Sequence, residues 1–115
     1  MRSDDFASGE LAERVTYVAE LEGRVVGWTS VGWRHGVWWM DDLWVLPAFM
    51  RRGIGSALFG HVATRGREKG ASALELESDA NATEFYERMG GRHVRDSEPT
   101  IWGPGLPIYA FELGE

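Results

Sequence analysis

The chain has 115 residues, 43% hydrophobic and 26% charged, which is the composition of one domain with a buried core and excludes a disordered chain. It contains no cysteine, which excludes disulfides and thiolate-ligated metal sites, and no apolar run approaches the roughly 20 residues that cross a bilayer. The net charge of −6 repels a polyanion such as nucleic acid and favours a cationic partner such as an amine. With no signal-like apolar stretch near Met1-Arg2-Ser3-Asp4-Asp5, these features predict a cytoplasmic protein whose single domain spans 1–115 and binds neither nucleic acid nor membrane.

In chain order, residues 3–14 are polar and read as a short helix or a loose lead-in. Residues 15–21 read as a strand, Glu22-Gly23 as a turn and residues 24–33 as its hairpin partner. Arg34-His35-Gly36 is the next turn, followed by a strand over 37–46 that Pro47 ends. A helix is predicted over 54–69, with Ile54, Leu58, His61, Val62 and Arg65 along one stripe and Gly70 just past its end. Residues 72–77 form a short strand, and Asn81 with Glu84 three residues on reads as a variant capping box. Ala82, Phe85, Tyr86 and Met89 give the next helix an apolar face, which Gly90-Gly91 terminates. Strands over 92–95 and 108–113, separated by a Gly- and Pro-rich loop, complete an α+β chain: a mixed, mostly antiparallel sheet with helices packed on it.

The stretch Leu43-Trp44-Val45-Leu46-Pro47-Ala48-Phe49-Met50-Arg51-Arg52-Gly53-Ile54-Gly55-Ser56 carries the most chemistry. A strand enters a glycine-containing loop and a helix starts at once, so unpaired N–H groups and a positive dipole end face one point, which suits phosphate. A dinucleotide fingerprint would need a glycine where Leu58 stands, and a Walker loop would need Lys and Ser/Thr where His61-Val62 stand.

Here the chain resembles the GNAT N-acetyltransferase superfamily, whose pyrophosphate loop reads Gln/Arg-x-x-Gly-x-Gly/Ala after a strand ending in Val-x-Pro. The match runs through Val45-Leu46-Pro47 and Arg51-Arg52-Gly53-Ile54-Gly55, with Met50 in place of the usual Gln or Arg. A second match, Asn81-Ala82-Thr83-Glu84-Phe85-Tyr86-Glu87-Arg88-Met89-Gly90, resembles the family's Asn-x-x-Ala-x-x-Phe-Tyr-x-x-x-Gly segment, with Thr83-Glu84 altering the usual alanine spacing. The resemblance covers residues 17–113. It also marks a departure: the family begins with a strand and two helices that wall the acceptor site, and only some 14 residues precede the strand at Val15, so most of that strand and wall is expected to be missing.

The resemblance implies a three-layer fold in which the strands around the first helix splay apart and the pantetheine of acetyl-coenzyme A enters the gap. Leu43, Trp44 and Val45 would then line the pantetheine, with an N–H near Val45 facing the oxyanion. Arg51, Arg52, Gly53, Ile54, Gly55 and Ser56 would hold the pyrophosphate, Asn81 and Phe85 would contact the cofactor arm, and Tyr86 would protonate the departing thiolate. A small-molecule or peptide amine would attack the thioester directly, without a metal. Asp41 and Asp42 are the nearest bases, of which strand alternation lets one face the groove, and Glu75 with Glu77 share another strand face.

Plainer readings stand beside these. Tyr86 also fits core packing, and the three histidines show no metal-ligand spacing. Of the six tryptophans, most fall in strands, where aromatic core packing explains them, and exposed ones would mark an interface, so a homodimer is an open expectation. The residues 103–107 form a rigid loop able to reach over an acceptor. The alternative to an N-acetyltransferase is a non-catalytic GNAT-like module that binds coenzyme A or a partner protein.

Overall fold

A computed structural model describes residues 14–114 and the backbone of 2–5. Seven strands lie in one sheet in the order β1-β2-β3-β4-β5-β7-β6. They are β1 Arg2–Asp5, β2 Val15–Leu21, β3 Arg24–Arg34, β4 Val37–Val45, β5 Ala73–Glu77, β6 Arg92–Asp96 and β7 Pro107–Glu112. Two helices join them, α1 Ile54–Glu68 and α2 Thr83–Arg88.

The sequence reading holds for β2 through β7 within one or two residues at each end. Strand β1 corrects it: residues 2–5 pair antiparallel with β2, Arg2 opposite Val18 and Asp5 opposite Val15. The edge strand expected to be missing is therefore present, and of the helix or lead-in expected over 3–14, residues 3–5 are strand while 6–13 lie outside the described residues.

The two hairpins follow from their turns. Glu22-Gly23 and His35-Gly36 each carry two successive left-handed residues, with φ of 53° and 81° and of 52° and 80°, the turn whose twist matches that of the flanking strands. Both helices end with the same bond pair, Ala71 N–H to Gly66 C=O and Gly70 N–H to Arg67 C=O in α1, Gly91 N–H to Tyr86 C=O and Gly90 N–H to Glu87 C=O in α2. The helix starts differ from expectation at α2. Its N-cap is Ala82 with no side-chain cap, and it is Asp79 Oδ1 that accepts from the Asn81 N–H at 2.8 Å, so Asn81 does not cap.

Helix α1 packs through Leu58, Phe59, Val62, Ala63 and Gly66, a stripe shifted from the predicted one, because His61 and Arg65 sit at its half-buried margin. Against it lie Tyr17, Val31, Trp38, Met40, Leu74 and Leu76. Trp38 donates its indole N–H to Val62 C=O at 3.1 Å, and a Cβ on Gly66 would stand 2.5 Å from the Trp38 ring. The helix thus lies as close to the sheet as it does only because residue 66 has no side chain. Helix α2 joins the same layer, since Tyr86 packs near Phe59 and Phe111 and the Tyr109 hydroxyl donates to Glu87 at 2.7 Å. Among the described residues both helices therefore cover one face of the sheet.

The other face corrects the reading of the tryptophans as mostly core. Only Trp38 is fully buried; Trp44 is 41% and Trp102 89% exposed, and Trp28 and Trp44 pair across the strands on the helix-free side.

Two predictions follow from this core. Gly66→Ala forces its new methyl into a fixed indole, so chemical denaturation should show a loss of about 1–2 kcal/mol despite alanine's better helix propensity. His61, edge-on to Tyr17 at 4.6 Å, has its pKa lowered from 6.5 by burial and then by Arg65. The unfolded chain binds a proton there first, so stability falls as pH drops below 6.5. A His61→Gln variant should flatten that part of the stability–pH curve, and an unchanged curve would remove His61 as its cause.

Candidate active site

β4 is shared unequally between its neighbours. It stays paired with β3 to its end, Val45 opposite Gly27, but pairs in parallel with β5 only at Trp38, Trp39 and Met40. β5 instead follows β7 through Glu77 opposite Ile108, and Ser78 N–H continues that path to Pro107 C=O at 2.9 Å. Among the described residues, no strand lies beside the β5-side edge of β4 from Asp41 to Val45. A backbone edge of this kind can take an extended ligand as an added strand.

The parted edge runs into the α1 N-terminus. After Val45 a short 3-10 turn over Pro47–Phe49 brings the chain round, with Leu46 N–H tied back to Val26 C=O at 2.8 Å. Arg51 then adopts φ 66° and the N-cap Gly53 φ 80°. A left-handed Arg51 is costly by about 1 kcal/mol or more, a strain found chiefly at functional loops. Gly53 reaches the same region without that cost, and its carbonyl accepts the first helical bond, from Ala57 at 2.9 Å. The N–H groups of Ile54, Gly55 and Ser56 precede that bond, so the helix itself supplies them no acceptor.

A groove of about 430 Å³ opens here, lined by Leu43, Val45, Phe49, Met50, Arg51, Gly53, Gly55, Ser56, Phe85 and Arg88. The sequence-predicted residues divide against it. Leu43, Val45, Arg51, Gly53, Gly55, Ser56 and Phe85 come together as its walls. Arg52 does not line it: its guanidinium lies over the Phe49 ring at 5.0 Å, and Arg24 lies near the same ring at 5.5 Å. Ile54 packs on the core, and Trp44 lies on the helix-free side. Asn81 is exposed and outside the groove lining, its N–H held by Asp79. Phe49 and Arg88 were not among the predicted residues, although Arg88 follows Phe85 by three positions and so shares its helix face.

Tyr86 lies behind this wall. It is 8% exposed, its ring meets Phe85 at 5.1 Å, and burial followed by the charge of Asp79 pushes its pKa up to about 12. The core-packing reading of this residue is the one described by its surroundings: it is a buried ring outside the groove lining, whose hydroxyl is protonated at neutral pH.

The carboxylates lie on the helix-free side. A register shift between Ser30 and Val31 leaves Asp41 as the extra residue of a β-bulge, which breaks the strand alternation expected between Asp41 and Asp42. Asp41 accepts from the Trp39 indole at 3.0 Å and pairs with Arg14, which also donates to Ser30 Oγ at 2.9 Å. Asp42 pairs opposite Ser30 and is exposed. Next to them a second cavity of about 330 Å³ is lined by Trp39, Glu75, Glu77 and Arg95, among others, with Glu75 ion-paired to Arg95 at 2.8 Å. Glu77, exposed and without an ion pair among the described residues, stands one residue beyond the last β4–β5 partner, Leu76. The loop before β7 starts at this cavity's rim, where Leu106 N–H donates to the Ser97 hydroxyl at 2.9 Å.

The histidines stay apart. His35 occupies a turn, His61 packs on Tyr17, and His93 pairs with Asp96 at 2.8 Å. No group of three metal-ligating side chains is assembled among the described residues. No helix among them is long and apolar enough to cross a membrane.

The chain is 36% identical over 95 residues to a streptothricin acetyltransferase of Streptomyces lavendulae, an alignment covering 76% of this chain and 49% of that protein. It therefore spans about half the length of that curated relative. Among solved structures, a nourseothricin acetyltransferase superposes with a TM-score of 0.79 at 25% identity, covering 88% of this chain and 66% of the other. An aminoglycoside 6′-N-acetyltransferase complexed with coenzyme A gives 0.78 at 19% identity, covering 88% and 73%, and shows the shared fold. The model of the acetyltransferase (GNAT) family matches residues 2–91, and with the parted strands and the loop at the α1 N-terminus this places the chain in that family.

Proposed function

We propose that this chain carries the core of an acetyl-coenzyme A-dependent N-acetyltransferase acting on a primary amine by direct attack. The observation that carries the reading is one groove in which the open edge of β4 and the free N–H groups of α1 meet. Pantetheine would add to the edge at Leu43–Val45, and the pyrophosphate would take the N–H groups of Ile54, Gly55 and Ser56 with Arg51 beside it. An N–H near Val45 would face the oxygen on which charge develops. Among the relatives, one enzyme of this fold is complexed with coenzyme A.

The amine would arrive from the helix-free face, along the cavity beside Trp39 and Glu77. A lysine-like amine has a pKa of about 10.4, so its neutral form costs roughly 4.6 kcal/mol at pH 7. Asp42 or Glu77, both without a cation partner among the described residues, would take that proton directly or through water. Asp41 is less suited, because Arg14 and Trp39 already engage it.

Tyr86 would serve the leaving group. Full proton transfer from a phenol held at about 12 to a thiolate of ordinary pKa near 8.5 is uphill by about 5 kcal/mol. The hydroxyl therefore acts first as a hydrogen-bond donor to the departing sulfur, and the proton shed by the amine nitrogen completes the exchange.

Saturating acetyl-coenzyme A at a hundredfold its Kd should add about 2.7 kcal/mol, a rise in melting temperature of roughly 10 °C for a domain of this size. A folded protein that does not respond would exclude the cofactor site. In Tyr86→Phe that rise should persist while turnover of an amine falls about 100-fold. Undiminished turnover would leave Tyr86 a core residue, and a wild-type chain that binds the cofactor but acetylates no amine would be the binding module instead.

A further inference from the structure

A further cavity, of about 320 Å³, opens between the later turns of α1, the end of α2 and the side of β7 that faces away from β5. It shares no lining residue with the groove at the α1 N-terminus. Three local features leave it open. On α1 the residue lining it is Ala63, whose single methyl does not fill it. Helix α2 stops at Gly90-Gly91, and a Cβ on Gly91 would stand 2.7 Å from the Phe111 ring, so the turn and the ring lie in direct contact. Strand β6 begins only at Arg92, opposite Ala110, so past that pair β7 has no strand on its outer side among the described residues. Leu113 N–H bonds inward to Ser72 C=O at 2.9 Å. Antiparallel alternation therefore turns the N–H and C=O of Glu112 outward, past the end of β6.

The walls differ in chemistry. Phe59, Ala63 and Phe111 give an apolar floor, with the two rings edge to face at 4.6 Å. Two guanidinium groups, of Arg67 and Arg92, line the same cavity. Neither takes part in an ion pair among the described residues, in a chain where 18 acidic residues face 12 basic ones. Arg67 is held in place by donating its Nε–H to Leu113 C=O at 3.1 Å, which leaves its two terminal nitrogens for another acceptor. Glu112 is the one carboxylate in the lining, and it pairs with neither arginine. Two cations against one carboxylate leave a single positive charge, which suits a monoanion better than a phosphate dianion. A planar carboxylate also matches the bidentate geometry of a guanidinium. The floor calls for an apolar body on that carboxylate, and the volume lies at the small end of small-molecule sites.

We propose that this cavity is a second binding site, for a small monocarboxylate with an aromatic or branched apolar body. Its carboxylate is taken by Arg67 and Arg92, and its apolar part rests on Phe59, Ala63 and Phe111. The site does not depend on how the groove at the α1 N-terminus is read. Met89 lies between the two: it lines this cavity, and its Sδ meets at 3.8 Å the hydroxyl of Ser56, which lines the other.

Titration of the ¹⁵N-labelled chain with 3-phenylpropionate, followed by amide NMR shifts, tests this. Saturable shifts should cluster at Ala63, Arg67, Arg92 and Glu112. The uncharged 3-phenylpropanamide, and acetate, which lacks the apolar body, should each bind about 10-fold more weakly or worse. Arg92→Gln should weaken 3-phenylpropionate by about 10-fold, and Arg92→Lys should restore part of the loss. Because Arg92 is exposed, both variants should melt as the wild type does. Arg67 is left intact in this test, since it also holds Leu113. The absence of saturable shifts at these four residues, shifts confined to residues 53–56, or equal binding of the amide would each overturn the assignment.

Discussion

The limited number of backbone partners available to β4 governs this molecule. One edge of the strand is committed to β3 along its whole length, and the other can hold β5 only while the two run side by side. β5 is drawn away by its own antiparallel ladder with β7. Three parallel pairs are therefore all that join the two halves of the sheet, and past Met40 the strand keeps donors and acceptors on an open edge. Everything that the proposed reaction uses is grouped around that opening. The loop after β4 delivers α1 to its mouth, α2 closes the far wall, and β5 ends with Glu77 at the point where the strands part.

Close packing keeps the opening from collapsing. Trp38 and Met40, just before the strands separate, are locked under α1, with the indole bonded to Val62 and no room over Gly66. At the other end, a Cβ on Gly27 would come within 2.9 Å of Trp44 C=O and 3.3 Å of the Ile54 side chain, so the last pairs of β3 and β4 sit tightly under the helix start. The strained Arg51 backbone is held between these fixed ends. Strain of this kind persists where the surroundings over-determine it.

How far the sequence disclosed this depends on the range of the interactions involved. Elements decided locally were legible: the strand alternation of β2 and β3, the Glu22-Gly23 turn, Pro47 as a terminator and Gly53-Ile54-Gly55 before an apolar helix all act within a few residues. The parallel pairing of β4 with β5 entered only through the family resemblance, because nothing near residue 40 announces a partner near residue 75. The bulge at Asp41 was invisible for a related reason, since a register shift is a property of two strands, and it undid the expectation about Asp41 and Asp42. Arg52 was misplaced because two adjacent arginines look equivalent in sequence, whereas the turn gives one of them to Phe49. Arg88 was missed because its partner wall lies some thirty residues earlier. Strand β1 was hidden by a polar stretch that only its pairing with β2 makes regular.

The sheet also separates two kinds of surface. On the helix side of the opening stand Arg51 and Arg88; on the helix-free side stand Asp42 and Glu77, in a chain whose net charge is −6. At the opening, these two cations and two carboxylates thus lie on opposite sides of the sheet. In the proposed reaction an anionic donor and a cationic acceptor are drawn to opposite sides and meet only through the gap, which keeps them from competing for one entrance. Acetylation then turns a charged ammonium into a neutral amide. The attraction that brought the acceptor in disappears with the bond that is made, so the product is released by the loss of its own charge, and added salt would slow arrival far more than departure.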